Sequence, residues 1–300
     1  MHLFHTISTF IVICIITLFM QSCTDNLSAE VPSYIEVNYF DYAGNNSQTL
    51  PHPNSYKSTK ITDAWVTMDG QIIGNYEIPC KIPILSEGEH SFEISPGIKV
   101  NGIAGTRIKY PFYEKYQTDI TLSTNESAYI LPKTTYKIDS NDPTTPSFIF
   151  EQKGSFENIG TMFEPSSLSD TTVIIQNEVV FQGEYSAAIY LDSKNTYFDV
   201  RTNSELDSLT FNTNTFLELD FKSTIDFRVG VVIINDIEQK QELIQLYATD
   251  TWKKIYLDLK PLVNMGNSTS KFKIYFEGIY DGNIIENNVY LDNLKLVYSK

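Results

Sequence analysis

Thr215-Phe216-Leu217-Glu218-Leu219-Asp220-Phe221 alternates over most of its length. Leu217, Leu219 and Phe221 fall on one face, and Glu218 and Asp220 on the other. An apolar period of two marks a half-buried strand. Phe216 falls on the acidic face and breaks the pattern at its start. The same alternation recurs on the C-terminal side of this stretch. In 251–259, Ile255, Leu257 and Leu259 oppose Trp252, Lys254, Tyr256 and Asp258. In 271–277, Phe272, Ile274 and Phe276 oppose Lys271, Lys273, Tyr275 and Glu277. The run 226–235 holds Val229-Gly230-Val231-Val232-Ile233-Ile234, apolar on both faces, which predicts a central strand. Further strands are predicted at 185–191 and 196–200, flanking an Asp192-Ser193-Lys194-Asn195 turn, and at 289–298. Many short alternating strands separated by turn residues predict an antiparallel sandwich or jelly roll over 147–300.

The rest of the chain reads the same way. Ile35, Val37 and Tyr39 alternate with Glu36 and Asn38. Residues 41–60, rich in Asn, Ser, Pro and Gly, carry no apolar period and read as a long loop. Ala64-Trp65-Val66-Thr67-Met68 reads as a strand, and Asp69-Gly70 suits a two-residue hairpin because both residues tolerate positive φ. Strand candidates continue at 82–85, 91–94, 106–110, 116–122 and 127–131. Tyr110-Pro111-Phe112-Tyr113 is an aromatic cluster, read either as a loop packed onto its own sheet or as a binding patch. Residues 139–146 are polar, hold two prolines and lack any large apolar side chain, so a domain boundary is expected there. No window beyond Cys23 sustains a period of 3.6 over three turns. With 19 Tyr and 18 Phe, the composition suits pleated surfaces. The fold expected is all-β: a small immunoglobulin-like β-sandwich over 34–138, then a larger jelly-roll β-sandwich.

The N-terminus is of a different kind. Residues 3–20 are largely apolar, no charge occurs before Ser22, and Met20-Gln21-Ser22-Cys23 leads at once into Thr24-Asp25-Asn26. This pattern resembles the signal peptide of a bacterial lipoprotein (residues 1–22). That resemblance implies cleavage before Cys23, lipidation of Cys23 and a tether over 23–33. It departs from the usual motif at Met20, at Gln21 and in the absence of Lys and Arg near the start. An uncleaved signal anchor and a buried N-terminal helix are the alternatives. The expected location is the Gram-negative cell envelope as an outer-membrane lipoprotein, with the membrane as partner through the anchor.

The formal net charge is −15, none of it from the first 22 residues. That sign repels nucleic-acid phosphates and anionic lipid as general partners. Cys80 is the one cysteine of the body, so neither an internal disulfide nor a multi-thiolate zinc site is available. Cys80 reads as a small apolar side chain. His90 reads as a turn histidine, and His52 lies in the loose loop. Neither sits in a motif that places a base beside a nucleophile. Carboxylate pairs suited to glycoside hydrolysis are not excluded by composition. A non-catalytic protein is expected.

Two further resemblances attach to particular residues. Asp69-Gly70, Gly74, Pro79 and Gly88-Glu89-His90 resemble the turn pattern of the PEGA domain, though Ile98 follows Gly97 where that family has an aromatic. The resemblance implies an envelope adaptor module. Gly154-Ser155-Phe156-Glu157, Gly183-Glu184-Tyr185-Ser186-Ala187-Ala188, Thr251-Trp252-Lys253-Lys254 and Tyr290-Leu291-Asp292-Asn293 resemble the galactose-binding-like jelly rolls of carbohydrate-binding modules. This implies glycan binding, and a structural calcium held by Glu157 and Asp292. Ordinary strand-end acids are the alternative at both positions, and no other cofactor is required. Trp252, Tyr256 and Tyr275, turned from the apolar side of their strands, are the ligand-binding candidates, either as sugar-stacking rings or as cover for a second core. A protein partner within an envelope assembly is the alternative to a glycan.

Overall fold

The protein, seen in a computed structural model, is all-β. The structure describes residues 30–42, 58–137, 149–154, 156–157, 162–207 and 209–299. The leader, Cys23, His52 and the 139–146 linker lie outside the described residues.

The N-terminal sandwich contains β1 (Ser33–Val37), β2 (Asp41–Tyr42), β3 (Asp63–Met68), β4 (Gln71–Glu77), β5 (Cys80–Ile84), β6 (Gly88–Lys99), β7 (Arg107–Lys109), β8 (Tyr116–Leu122), β9 (Ser127–Ile130) and β10 (Lys133–Thr134). One layer is β5-β1-β9, with β2 and β10 paired beside it. The other is β4-β3-β6-β7, with β8 also paired to β6. The alternation Ile35/Val37 meets Val66, Ile82, Phe92 and Ile94 in one apolar core. Tyr39 departs from the expected pattern: β1 ends at Val37 and Tyr39 is exposed. Asp69 and Gly70 take φ of 50° and 80° and close the β3–β4 hairpin. The Asp69 carboxylate accepts from the Ser91 N–H at 2.9 Å and meets His90 Nδ1 at 2.6 Å. His90 lies near the start of β6 and ties it to the β3–β4 turn, and its hydrogen bond with Asp69 raises its pKa. Cys80 is half-buried beside this core, and burial pushes its thiol up.

The C-terminal sandwich contains β11 (Ile149–Gly154), β12 (Phe163–Pro165), β13 (Ile174–Gln176), β14 (Ser186–Leu191), β15 (Tyr197–Thr202), β16 (Thr215–Ser223), β17 (Phe227–Ile234), β18 (Glu238–Leu246), β19 (Thr249–Asp258), a one-turn helix α1 (Lys260–Val263), β20 (Lys271–Ile279) and β21 (Asn287–Tyr298). Six strands form one sheet, β13-β14-β21-β16-β19 with β11 also on β21. Five form the other, β12-β15-β20-β17-β18. The expected inward residues, Leu217, Leu219, Ile255, Leu257, Phe272, Ile274 and Phe276, lie in the core between them. Strand β18 was not expected from the pattern. Its Glu238-Gln239-Lys240-Gln241-Glu242 start is polar on both faces because β18 is an edge strand, paired on one side only.

A third apolar cluster joins the two sandwiches: Ile98, Tyr110, Phe112, Tyr113 and Tyr136 from the first, Phe216, Tyr256 and Val297 from the second. Tyr110-Pro111-Phe112-Tyr113 therefore packs between Ile98 of its own sandwich and the other sandwich's six-stranded sheet. The supposed acidic face of β16 is the floor of this seam. Glu218 accepts from Tyr110 Oη at 2.6 Å and from Tyr136 Oη at 2.8 Å. Asp220 accepts from Ser58 Oγ at 2.8 Å and from Asn293 Nδ2 at 3.1 Å. Asn101 N donates to the Tyr256 carbonyl at 2.8 Å. Buried carboxylates persist when hydrogen-bonded and paired. Here Lys254 Nζ lies 3.4 Å from Glu218 and 3.8 Å from Asp220, all three side chains buried.

Candidate functional site

The seam occupies the outer face of the six-stranded sheet over β16, β19 and the C-terminal half of β21. The outer face of the five-stranded sheet is the corresponding surface without a packed partner domain among the described residues. Odd positions of β15 put Tyr197, Asp199 and Arg201 on that face. Lys273, Tyr275 and Glu277 join them from β20, Arg228 and Gly230 from β17, and Glu238, Lys240 and Glu242 from β18.

Gly230 stands opposite Tyr275, and a Cβ there would come 2.6 Å from the tyrosine ring. The ring therefore lies across the glycine toward β18. Lys240 reaches back over it, with Nζ 4.2 Å from the ring centroid, 2.9 Å from Asp199 Oδ2 and 2.5 Å from Glu277 Oε2. Tyr197 Oη donates to Glu277 at 2.9 Å, and Arg228 Nη1 stands 3.4 Å from the other oxygen of that carboxylate. Burial works to raise the Glu277 carboxyl, but the hydrogen bonds from Lys240 and Tyr197 outweigh it and hold the group below its ordinary value. Arg201 Nη1 donates to Glu238 at 2.7 Å.

Two polar atoms in this network lack a hydrogen-bond partner among the described residues: Asp199 Oδ1 and Arg201 Nε, both buried. One is an acceptor and one a donor, two residues apart on the same strand face. Native interiors rarely leave such atoms unpaired. A cleft of about 230 Å³ opens on the same sheet face, lined in part by Tyr197, Asp226, Arg228, Gln245, Glu277 and Ile279; neither Asp199 nor Arg201 lines it. A second, of about 330 Å³, lies at the other end of β17, against Ile234, Asp236 and Lys271. The strand rise places the two ends of β17 roughly 25 Å apart.

The three expected ligand-binding aromatics are not brought together. Tyr256 is 2% exposed, covered by the N-terminal sandwich and hydrogen-bonded to Tyr113 Oη at 3.0 Å. Tyr275 is 1% exposed beneath Lys240. Both do turn away from the apolar side of their strands, but neither offers an open ring. Trp252 is half-buried on the other sheet, its ring 5.7 Å from that of Phe181. Tyr197, Asp199, Arg201, Arg228 and Lys240 were missed. The signal available was the charged i, i+2, i+4 series Glu238, Lys240, Glu242, which fits a strand with a charged outer face.

Glu157 and Asp292 do meet on one loop, 181–185. Glu157 accepts from the N–H groups of Glu184 at 3.0 Å and Tyr185 at 3.3 Å. Asp292 Oδ2 accepts from Phe181 N at 3.2 Å and Gln182 N at 3.0 Å, and Oδ1 from Asn293 N at 2.7 Å. Calcium takes six to eight oxygens. Here the loop turns main-chain N–H donors toward both carboxylates. The residues as placed staple a loop. Gly183, at φ +86°, completes the staple: a Cβ there would lie 2.0 Å from Glu157 Oε1. Gly183→Ala is expected to destabilise the protein by about 2 kcal/mol or more. Denaturant unfolding checks this, and a variant within about 0.5 kcal/mol of wild type contradicts the placement.

No family model matches the chain, and no curated protein matches it. Among solved structures, the chain is similar to β-sandwich carbohydrate-binding modules. One is a family 29 module mutant complexed with mannohexaose, at 13% identity and TM-score 0.34 over 50% of this chain and 92% of that one. Another is the C-terminal family 22 module of Clostridium thermocellum Xyn10B, at 12% identity and TM-score 0.34 over 49% and 90%. A third, from work on the promiscuous specificity of β-sandwich modules, covers 79% of this chain and 86% of its own, at 13% identity and TM-score 0.34. At these values the similarity assigns neither a ligand nor a site.

Proposed function

We propose that this protein is a non-catalytic, lipid-anchored envelope protein that binds a glycan on the outer face of its five-stranded C-terminal sheet. The observation that carries the reading is the cleft of about 230 Å³ on that face, where Tyr197, Asp226, Arg228, Gln245 and Glu277 converge. A sugar hydroxyl is both donor and acceptor and pairs with carboxylate and guanidinium alike. Tyr197 at the cleft wall supplies an aromatic edge, and Arg228, Gln245, Asp226 and Glu277 supply the polar contacts such sites use for orientation. The anchor reading rests on Met20-Gln21-Ser22-Cys23 and the apolar run before it. Acylation at Cys23 would hold the protein at an outer membrane as its membrane partner.

Glycan-array screening of the full-length protein followed by calorimetry tests the binding. Tyr197→Ala and Arg228→Ala are each expected to weaken the best ligand about tenfold or more, while Trp252→Ala changes it less than about twofold. The reverse pattern moves the site to the other sheet. A stable co-purifying protein complex with no glycan bound supports the scaffold reading instead. Mass spectrometry of the native N-terminus tests the anchor: a diacyl or triacyl Cys23 is expected, and an intact Met1 without fatty acid excludes it.

A further inference from the structure

The ammonium of Lys240 sits in a cage. One side is the Tyr275 ring face at 4.2 Å, and the others are the carboxylates of Asp199 at 2.9 Å and Glu277 at 2.5 Å. A π face with two carboxylates is a site for a cation. Lys240 belongs to the edge strand β18, and its side chain is 31% exposed while that of Asp199 is 6% exposed. The cation is thus the mobile member, carried on a flexible four-carbon stem, and the cage is the fixed one. The neighbouring Asp199 Oδ1 has no hydrogen-bond partner among the described residues, so the cage has a free acceptor that Lys240 does not use.

We propose that Lys240 keeps the place of a ligand's own amino group, so that this face selects glycans bearing free amines, amino sugars, over neutral or N-acetylated ones. This inference rests on the glycan reading above and deepens it. A neutral ring that displaced Lys240 would leave the nearly buried Asp199 without a cation and Glu277 with Arg228 alone. That arrangement is costly. A protonated sugar amine restores the charge balance, takes the Tyr275 face, and presents N–H donors to both oxygens of Asp199. Lys240 then swings out among Glu238 and Glu242, which flank it on the same strand.

Calorimetric titration of the full-length protein with a glucosamine tetramer and with its N-acetylated counterpart tests the proposal. The free-amine tetramer is expected to bind about tenfold tighter or better, in line with one charge-assisted contact set. Lys240→Ala removes the internal competitor and is expected to tighten the amine ligand about tenfold. Asp199→Asn and Glu277→Gln are each expected to lose that preference, with melting curves confirming folded protein. Lys115→Ala, which changes net charge equally on the other sandwich, serves as the control for a polycation meeting an acidic protein, and its affinity is expected to stay at the wild-type value. Equal or tighter binding of the N-acetylated tetramer, or an equal gain in Lys115→Ala, overturns the proposal. If a neutral glycan binds and loses affinity in Tyr197→Ala while amines gain nothing, the inference falls and the glycan reading stands. If no glycan binds at all, both fall.

Discussion

Glu218→Ala is expected to destabilise the whole protein by about 3–5 kcal/mol, the cost of stripping a buried charge network of one partner. For a chain of this size that corresponds to a fall of roughly 10 °C in Tm. The reason is the number of groups that depend on one carboxylate. Tyr110 and Tyr136 donate to it at 2.6 and 2.8 Å, and Lys254 lies 3.4 Å away. All are buried. Alanine leaves two hydroxyls and an ammonium in an apolar seam with no replacement, since Asp220 is the remaining acceptor near Lys254 and already holds Ser58 and Asn293. Tyr136→Phe removes only a hydroxyl and is expected to cost about 1–2 kcal/mol. The two changes share a contact, so the double variant is expected to cost less than the sum by about 1 kcal/mol or more. Denaturant unfolding of all four proteins supplies the cycle. A Glu218→Ala loss below about 1 kcal/mol would mean that the sandwiches are not held by this seam.

That seam explains which parts of the molecule were legible in the sequence. Alternation reports burial on one face of a strand, and it located the cores through Leu217, Leu219, Ile255, Phe272 and Phe276. It does not report what lies on the other face. Glu218 and Tyr256 sit on positions that look solvent-directed, and a second domain covers them. The trace left in the sequence was Phe216 on an acidic face, an aromatic that only a partner surface makes sensible. Tyr110, Phe112 and Tyr113 were its complement, but nothing local links residues more than 100 positions apart. The candidate site was hidden for a related reason. Lys240 and Asp199 meet across two intervening strands of one sheet, β20 and β17, and β18 lacks the apolar stripe that marks a strand, because an edge strand with a charged outer face needs little of it. Glu157 and Asp292 were legible as a pair on one loop. Their hydrogen-bond partners were not, since main-chain N–H groups leave no residue signature.

Burial of one of that pair sets a large pH effect. Burial, opposed by the three main-chain N–H groups, raises the Asp292 carboxyl from 3.8 to about 7 in the folded chain. Asp220, buried nearby, adds to the rise. A carboxyl that holds its proton more tightly when folded stabilises the protein below the unfolded value, and that stability is lost as pH rises through the folded one. The window is therefore about pH 4 to 7. Asp292→Asn does not titrate. Relative to wild type, it is expected to gain stability from pH 4.5 to pH 8, by up to about 4 kcal/mol from three units of pKa. Any constant loss from the amide now facing Asn293 N is the same at every pH and leaves this slope intact. Guanidinium unfolding of both proteins at pH 4.5, 6 and 8 measures it. A calcium ion at Glu157 and Asp292 would add a separate signature: a wild type raised by calcium and lowered by chelator, and an asparagine variant indifferent to both. Stapling by N–H donors requires wild-type melts that coincide in calcium and chelator, and a difference between variants that grows with pH. The two chemistries therefore diverge at pH 8 in their response to calcium, because Asp292, with a pKa of about 7, is mostly ionised there in either case and only a metal site gains stability from the added ion.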